Sequence, residues 1–251
     1  MTHKFGSIAC MAVLALAGQA MADGVVSASY SPSGYGNGAN GGGGFLFTYV
    51  SGTVGLMGSQ THTLGANNAD NNRLTNGFVS FCIERTENLP TGNSFAQISG
   101  SSNGGGFSGQ QGGVDPISNA TALLYRTFRA GTAMNLGGSF GSVVVDSAAE
   151  ATDLQLAIWS IEGEITPANP LTITARAQAM INWATTNQTG LGGVRVLRLW
   201  SNYNAQTGVY SGFRQDQLTI VPLPPAAFAG LGTLAGVIGL GYIRRRRLAN
   251  A

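Results

Sequence analysis

Cys82 is the one cysteine available for covalent chemistry in the body of this sequence. The other cysteine, Cys10, lies in an N-terminal apolar run that we expect to be removed with a leader peptide. A single cysteine in an exported protein needs a chemical explanation, because exported cysteines usually form disulfides in pairs. A thiol can act as a nucleophile with a histidine as its base, and His62 is the histidine that remains after the leader. Nothing in the sequence brings His62 to Cys82.

Acidic residues provide a second candidate site. Glu162 and Glu164 could form a glycosidase pair if their carboxylates lie about 5 to 9 Å apart, although their position at a helix end favours a solvated turn. Glu150 and Asp153 fall in the first turns of a predicted helix, where negative charge interacts favourably with the helix dipole. With one histidine, one cysteine and scattered acids in the body, the sequence predicts no metal site and no cofactor.

Two short motifs surround Cys82 and Gln155. The first is Phe81-Cys82-Ile83, and the second is the run Leu154-Gln155-Leu156-Ala157-Ile158-Trp159. They resemble the two motifs of bacterial surface thioester domains, an aromatic-Cys-Ile and a later Thr-Gln-x-Ala-Ile-Trp. Leu154 stands where that family has threonine. The resemblance implies that the cysteine sulfur condenses with the Gln155 side chain, expelling ammonia and leaving an internal thioester.

A thioester would make Gln155 reactive toward amines. A primary amide is a poor electrophile, whereas a thioester releases a thiolate whose parent pKa is about 8.5. An amine on a partner could attack the Gln155 carbonyl carbon and become joined to it. The crosslink could also stabilise the fold by about 4 kcal/mol, by the loop-entropy argument for disulfides. The alternative is that Cys82 is a small buried apolar residue and that Gln155 is a tolerated polar residue facing water on an amphipathic helix.

The N-terminus carries a targeting pattern. Lys4 precedes an apolar run over residues 8–17, and Ala20 and Ala22 flank a methionine in a small-residue cleavage site. Residues 1–22 are therefore predicted to be a signal peptide, removed by signal peptidase.

The C-terminus, residues 221–251, carries a second targeting pattern in three blocks. Eighteen uncharged residues, 226–243, reach about 27 Å as a helix, enough for a short membrane span. The arginines that follow should stay on the cytoplasmic side. The blocks on either side of the helix are Val221, Pro222, Leu223 and Pro224 before it and Arg244, Arg245, Arg246 and Arg247 after it.

This tail resembles the PEP-CTERM sorting signal of Gram-negative bacteria, in its variant with a Val-Pro-Leu-Pro motif. The resemblance implies recognition by an exosortase-like membrane protease and removal of the helix. We therefore expect export across the inner membrane, a membrane-tethered precursor, and delivery to the cell surface or the extracellular matrix.

Charge and composition exclude some classes of partner. Lys4 and the four C-terminal arginines are five of the thirteen basic residues, which leaves eight arginines against eleven acids and a body near −3. Such a body does not recruit nucleic acid. With 38 glycines and only 10% charged residues, against a usual figure of about 25%, the composition favours an extracellular β-rich protein.

The expected body, residues 23–220, is a single α+β domain, β-rich and sandwich-like, with about three inserted helices among about seven strands. The capping box Ser147 to Glu150 begins the clearest helix, which runs to Gly163. Residues 77–84 alternate, with Phe78, Ser80 and Cys82 on one face of a strand. The other predicted helices cover 118–130 and 174–185, the other strands 25–31, 45–50, 140–145, 194–200 and 218–221, and the loops 33–44, 65–72 and 91–113.

Three functions follow as hypotheses. The first is a surface or matrix protein that captures amine-bearing partners through Gln155, with Cys82 as the leaving group. The second is a non-reactive structural component of the extracellular matrix or biofilm, in which the two residues only pack. The third, a hydrolase, would need His62 or a carboxylate pair beside Cys82, and we expect no enzymatic activity.

Overall fold

The computed structural model describes residues 24–30, 44–52, 77–102, 115–168 and 170–221. These residues form ten strands and three helices. The strands are β1 (Gly24–Tyr30), β2 (Phe45–Gly52), β3 (Gly77–Ser80), β4 (Gly92–Ser99), β5 (Ser101–Ser102), β6 (Asp115–Pro116), β7 (Met134–Gly137), β8 (Gly141–Val143), β9 (Val194–Asn204) and β10 (Val209–Ile220). The helices are α1 (Asn119–Arg129), α2 (Ala148–Ile161) and α3 (Ala175–Asn187).

Six strands form one antiparallel sheet in the order β10-β9-β4-β1-β2-β3. The sheet curls until the chain just after β3 meets β10. There the Ile83 N–H donates to the Asp216 carbonyl and the Leu218 N–H donates to the Phe81 carbonyl, each at 3.1 Å. We call this junction, residues 81–83 against residues 216–218, the seam. The remaining strands form two small pairs, β5 with β6 and β7 with β8.

The helices begin and end where local chemistry directs. Ser118, Ser147 and Thr174 are the N-caps of α1, α2 and α3, and each side chain accepts a hydrogen bond from a backbone N–H of the first turn. Gly131 follows α1 and Gly163 follows α2, with φ of 61° and 78°, a conformation that glycine adopts without strain. The three helices and the capping box are therefore confirmed.

Apolar side chains form two clusters that meet at the seam. A helix cluster joins the three helices to Val79, Phe81 and Ile83, whereas a sheet cluster joins five strands to Cys82 and Trp159. Odd and even residues of the segment 78–83 thus enter different clusters, as their alternation predicts. The β-rich α+β class is confirmed.

One predicted loop was wrong, and two predicted strands were too short. The expected loop at 91–113 contains β4, a central strand whose buried residues include Ser94 and Ala96. These side chains are small, so the strand carries little apolar signal in the sequence. The expected short strands at 194–200 and 218–221 are parts of one long hairpin, β9 with β10, whose outer half is polar and aromatic.

Several predictions lie outside the described residues. They include the signal peptide with Ala20 and Ala22, the loop at 65–72, His62, and the sorting signal from Pro222 onward with Leu223, Pro224, the helix at 226–243 and Arg244, Arg245, Arg246 and Arg247. Among the residues that are described, no helix combines the length and the hydropathy needed to cross a membrane.

Candidate functional site at Cys82

Cys82 lies in the seam with a fully buried side chain. It is a free thiol, and its backbone forms an isolated antiparallel bridge with Gln217 of β10. The backbone conformation that places it there comes from β3, which runs directly into the seam after Ser80. Ser80 anchors this transition, since its hydroxyl donates to the Leu218 carbonyl. The thiol is thus held where the two ends of the sheet meet.

Gln155 reaches Cys82 from α2, across 73 positions of sequence. Its Nε2 donates to the Cys82 carbonyl at 2.8 Å, and its Oε1 accepts from the Cys82 N–H at 3.0 Å. The carboxamide therefore pairs with the Cys82 backbone as a neighbouring strand residue would. Only 1% of Gln155 is exposed. The alternative prediction, that Gln155 is a tolerated polar residue facing water, is therefore wrong.

Gln217 is the residue at this site that sequence reasoning missed. Its Nε2 donates to the Cys82 sulfur at 3.2 Å, while its Oε1 has no hydrogen-bond partner among the described residues. Gln217 follows Gln215 and Asp216, and all three are buried in β10. Three consecutive polar residues are unusual in a buried strand, because each needs a hydrogen-bond partner. This run was the signal in the sequence that could have indicated a polar site. Its partner could not be read from the sequence.

Burial raises the pKa of the Cys82 thiol from 9.0 to about 12, although the hydrogen bond from Gln217 acts in the opposite direction. The free thiol is therefore neutral at physiological pH. A neutral, buried thiol is a weak nucleophile toward reagents in solution. The Gln217 N–H is the group best placed to stabilise negative charge that develops on the sulfur.

The residues of the two sequence motifs all lie in the core around this pair. Phe81, Leu154, Ala157 and Ile158 belong to the helix cluster, whereas Trp159 belongs to the sheet cluster with Cys82. Ile83, also in the helix cluster, is 2% exposed, Leu156 is 3% exposed, and the other motif residues are 1% exposed or less. Leu154, where the similar family has threonine, is completely buried among apolar groups, so it adds packing and no polar contact.

Acidic residues border the seam on one side. Burial, followed by the charge of Glu84, raises the pKa of Glu87 to about 9, and Asp216 and Glu164 add to the effect. Glu164 Oε2 accepts from the Arg85 N–H at 3.1 Å. This region is therefore acidic and partly shielded from solvent, and at neutral pH Glu87 is held as the neutral acid.

The predicted carboxylate pair Glu162 and Glu164 serves two different segments. Glu162 Oε1 accepts from both the N–H and the hydroxyl of Ser118, at 3.2 and 2.8 Å, and burial raises the pKa of Glu162. Glu164 instead binds the backbone beside the seam, at Arg85. Both carboxylates therefore act as acceptors for backbone at segment ends. Within the described ranges no group of three His, Cys, Asp or Glu residues could hold a metal ion.

No family model, no curated protein and no solved structure matches this chain. The interpretation of the site therefore depends on the geometry around Cys82.

Proposed function

We propose that Cys82 forms an internal thioester with a glutamine carboxamide and that the protein uses it to attach covalently to amine-bearing partners. The observation that carries this proposal is the contact between the Cys82 sulfur and the Gln217 carboxamide at 3.2 Å. Gln155, the partner expected from the sequence motif, binds the Cys82 backbone with both ends of its carboxamide. We therefore favour Gln217 as the acyl donor and Gln155 as the clamp that holds Cys82, with Gln155 kept as the second candidate donor.

The chemistry balances without a cofactor. The Cys82 sulfur bonds to the glutamine Cδ, the Cδ–Nε2 bond breaks, and the thiol proton leaves with the amide nitrogen as ammonia. A partner amine then attacks the same carbon, forms an amide, and returns the sulfur as a thiol. Holding the two groups in contact can lower the barrier by about 7 to 11 kcal/mol relative to free encounter.

We propose that the signal peptide directs export of the protein and that the helix at 226–243 tethers it to the membrane. An exosortase-like protease then sorts it to the cell surface or matrix. The sequence patterns at both ends support this destination. The same proposal includes a sandwich-like body and a C-terminal helix that spans the membrane before processing. Covalent capture suits a surface protein, since an amide bond resists dissociation under flow.

The second candidate is a non-reactive structural component of the matrix. It is favoured by the burial of Cys82 and by the pKa of about 12, since both keep the free thiol inert. In that function Gln155 and Gln217 would satisfy the backbone and the sulfur of the seam without reacting.

Intact mass spectrometry separates the two functions. A thioester lowers the mass of the exported protein by one ammonia, and methylamine then raises it; Cys82→Ala abolishes both changes. A full sequence mass with no methylamine uptake would leave the structural component as the function.

The acyl donor is identified on the same samples. Gln217→Met and Gln155→Met each remove a carboxamide at nearly constant length, and Gln178→Met on the exposed face of α3 is the matched control. We expect the ammonia deficit to disappear in Gln217→Met and to persist in the control. Peptide mapping of the crosslinked fragment gives the donor directly, and a Cys82–Gln155 peptide would overturn the assignment to Gln217.

A further inference from the structure

A row of aromatic rings runs from β4 across the outer half of the β9–β10 hairpin. Consecutive ring centroids lie 5.8 Å apart from Phe95 to Tyr203, 4.6 Å from Tyr203 to Tyr210, 5.5 Å from Tyr210 to Trp200 and 4.4 Å from Trp200 to Phe213. We call these five residues the aromatic row. Neighbouring rings are tilted by 36° to 45°. None of the five residues of the aromatic row belongs to the sheet cluster.

This part of the surface is unusually apolar. Three large hydrophobic residues are exposed in the described part of the chain, and two of them, Val209 at 57% and Phe213 at 59%, lie on this hairpin. The third is Val50, at 48%. Trp200 lies against Phe213, and its indole N–H has no acceptor among the described residues. Phe213 is exposed, Phe95, Tyr203 and Tyr210 are partly exposed, and Trp200 is buried against Phe213. A cluster of accessible aromatic rings of this kind indicates a surface that binds a partner.

The same stretch is free of charge. Residues 199–213 contain no acidic or basic side chain, and their polar residues are hydroxyls and amides. The next residue, Arg214, donates to the Asn93 carbonyl and to the Ser94 hydroxyl, so its guanidinium is held against β4 at the edge of this stretch. Tyrosine, tryptophan, serine, asparagine and glycine together are the composition of binding loops that recognise ligands by stacking and adaptable hydrogen bonds.

We propose that the aromatic row binds a neutral polysaccharide. The C–H faces of a pyranose ring are apolar and stack on aromatic rings, whereas its hydroxyls pair with amides and hydroxyls such as those of Asn202 and Asn204, both exposed. An uncharged surface gives no ionic attraction to an anionic polymer or a charged peptide. Four of the five rings are at least partly exposed, so the row presents more than one ring to a polysaccharide, and oligosaccharides bind more tightly than monosaccharides.

This binding does not depend on the thioester. Phe213 precedes Gln217 by four residues on β10, about 13 Å along an extended strand. The polysaccharide would therefore lie near the seam, on the same strand as the proposed acyl donor.

Affinity electrophoresis of the full-length protein tests the proposal. Each native gel contains one polymer. Four of the polymers are neutral, namely a β-1,4-glucan, a β-1,3-glucan, an α-glucan and a galactomannan, and the fifth, alginate, is anionic. We expect retardation by at least one neutral polymer and none by alginate. Phe213→Ala and Tyr210→Ala should weaken binding about tenfold or more, while Phe213→Tyr, which keeps a ring, retains it.

Val50→Ala is the matched control, since it truncates another exposed apolar residue, on β2, and should leave binding unchanged. Circular dichroism and thermal melting verify that the variants are folded. Failure of all four neutral polymers to retard the protein overturns the proposal, as does retardation that persists in Phe213→Ala and Tyr210→Ala. A change of oligomeric state in these variants without loss of glycan binding would assign the row to contact between copies instead.

Discussion

At the scale of single residues, Cys82 is controlled by two carboxamides with different tasks. The Gln155 carboxamide bonds to the backbone N–H and carbonyl of Cys82, and the Gln217 carboxamide contacts the Cys82 sulfur. The bridge between Cys82 and Gln217 is bonded through the residues on either side of them, so a side chain has to supply partners for the N–H and the carbonyl of Cys82 itself. Gln155 is therefore important for the position of the sulfur whether or not the sulfur reacts.

The first prediction concerns this clamp. Gln155→Ala leaves a buried N–H and a buried carbonyl without partners, and we expect it to lower the free energy of unfolding by about 2 to 4 kcal/mol. Gln178→Ala, which removes an exposed glutamine that bonds only to Asn182 on the same helix, should change it by about 0.5 kcal/mol or less. Urea unfolding of both variants measures the difference. Equal effects would mean that the clamp contributes nothing to stability.

At the scale of elements, α2 and the segment after β3 decide the geometry of the site. α2 begins at a capping box, in which the Ser147 hydroxyl accepts from the Glu150 N–H and Glu150 accepts from the Ser147 N–H. This fixes the first turn of the helix that carries Gln155 two turns later. The segment 84–87 then leaves the seam through an acidic region, where burial and Glu84 raise the pKa of Glu87.

The second prediction concerns the cap. Ser147→Ala removes the acceptor at the N-terminus of α2 and should destabilise the protein by about 1 kcal/mol. Ser142→Ala, an exposed serine on β8, is the control and should have little effect. Thermal melting compares the two. A cap variant as stable as the control would show that packing alone holds the start of α2.

The third prediction concerns pH. The pKa of Glu87 is raised from 4.5 to about 9 in the folded protein, first by burial and then by Glu84, so folding takes up a proton between these values. The contribution of Glu87 to stability is therefore fully present below pH 4.5 and is lost as pH rises toward 9. Glu87→Gln stays neutral throughout, so this variant should be more stable than the native protein at pH 8 and should lose less stability from pH 5 to pH 8.

Glu150→Gln is the control of opposite sign. Burial alone would raise the pKa of Glu150, but hydrogen bonds from Asp146 and Ser147 and the charge of Arg176 hold it below its usual range. Its carboxylate stabilises the fold above pH 4.5, and this contribution is lost as pH falls. Urea midpoints are measured at pH 5 and pH 8 for each variant and for the native protein. At pH 8 the midpoint of Glu87→Gln should lie above that of the native protein, and the midpoint of Glu150→Gln should lie below it. The same direction in both variants would contradict the pKa assignments.

At the scale of the whole molecule, the curled sheet makes its two edges interdependent. β10, the last strand, closes against the segment that follows β3, and the closure brings together residues from positions 81–83 and 216–218. A covalent bond between Cys82 and Gln217 would lock this closure and could stabilise the fold by about 5 kcal/mol, on loop-entropy reasoning. The C-terminal tail begins at Val221, directly after β10.

The fourth prediction concerns that tail. In a host without an exosortase, the full-length chain should fractionate with the inner membrane, because the apolar residues 226–243 and the four arginines retain it. A chain that ends at Val221 should be recovered as soluble exported protein, whereas a chain that lacks only residues 248–251 should stay with the membrane. Membrane association of the chain that ends at Val221 would contradict the sorting hypothesis.

Local patterns in the sequence were sufficient for the three helices, because caps, glycines and helical periodicity act within a few residues. They were also sufficient for the two faces of the segment around Cys82, because side chains alternate along any extended chain. β4 was missed since its buried face consists of small residues, and the outer hairpin was missed since its polar and aromatic residues give no apolar alternation. In each case the neighbouring strands, distant in sequence, supply the missing packing.

For the site, the sequence by itself placed Cys82 at the end of a core strand and Gln155 on a helix, the resemblance of their two motifs paired them, and the structure brings them together. Only the tertiary structure decided that Gln155 holds the backbone and that Gln217 contacts the sulfur. The physical reason is register: the pairing of β10 with residues 81–83 is a contact between positions more than 130 residues apart, and shifting it by one residue would turn Gln217 to the opposite face. No local pattern specifies that register, since it results from the closure of the whole sheet.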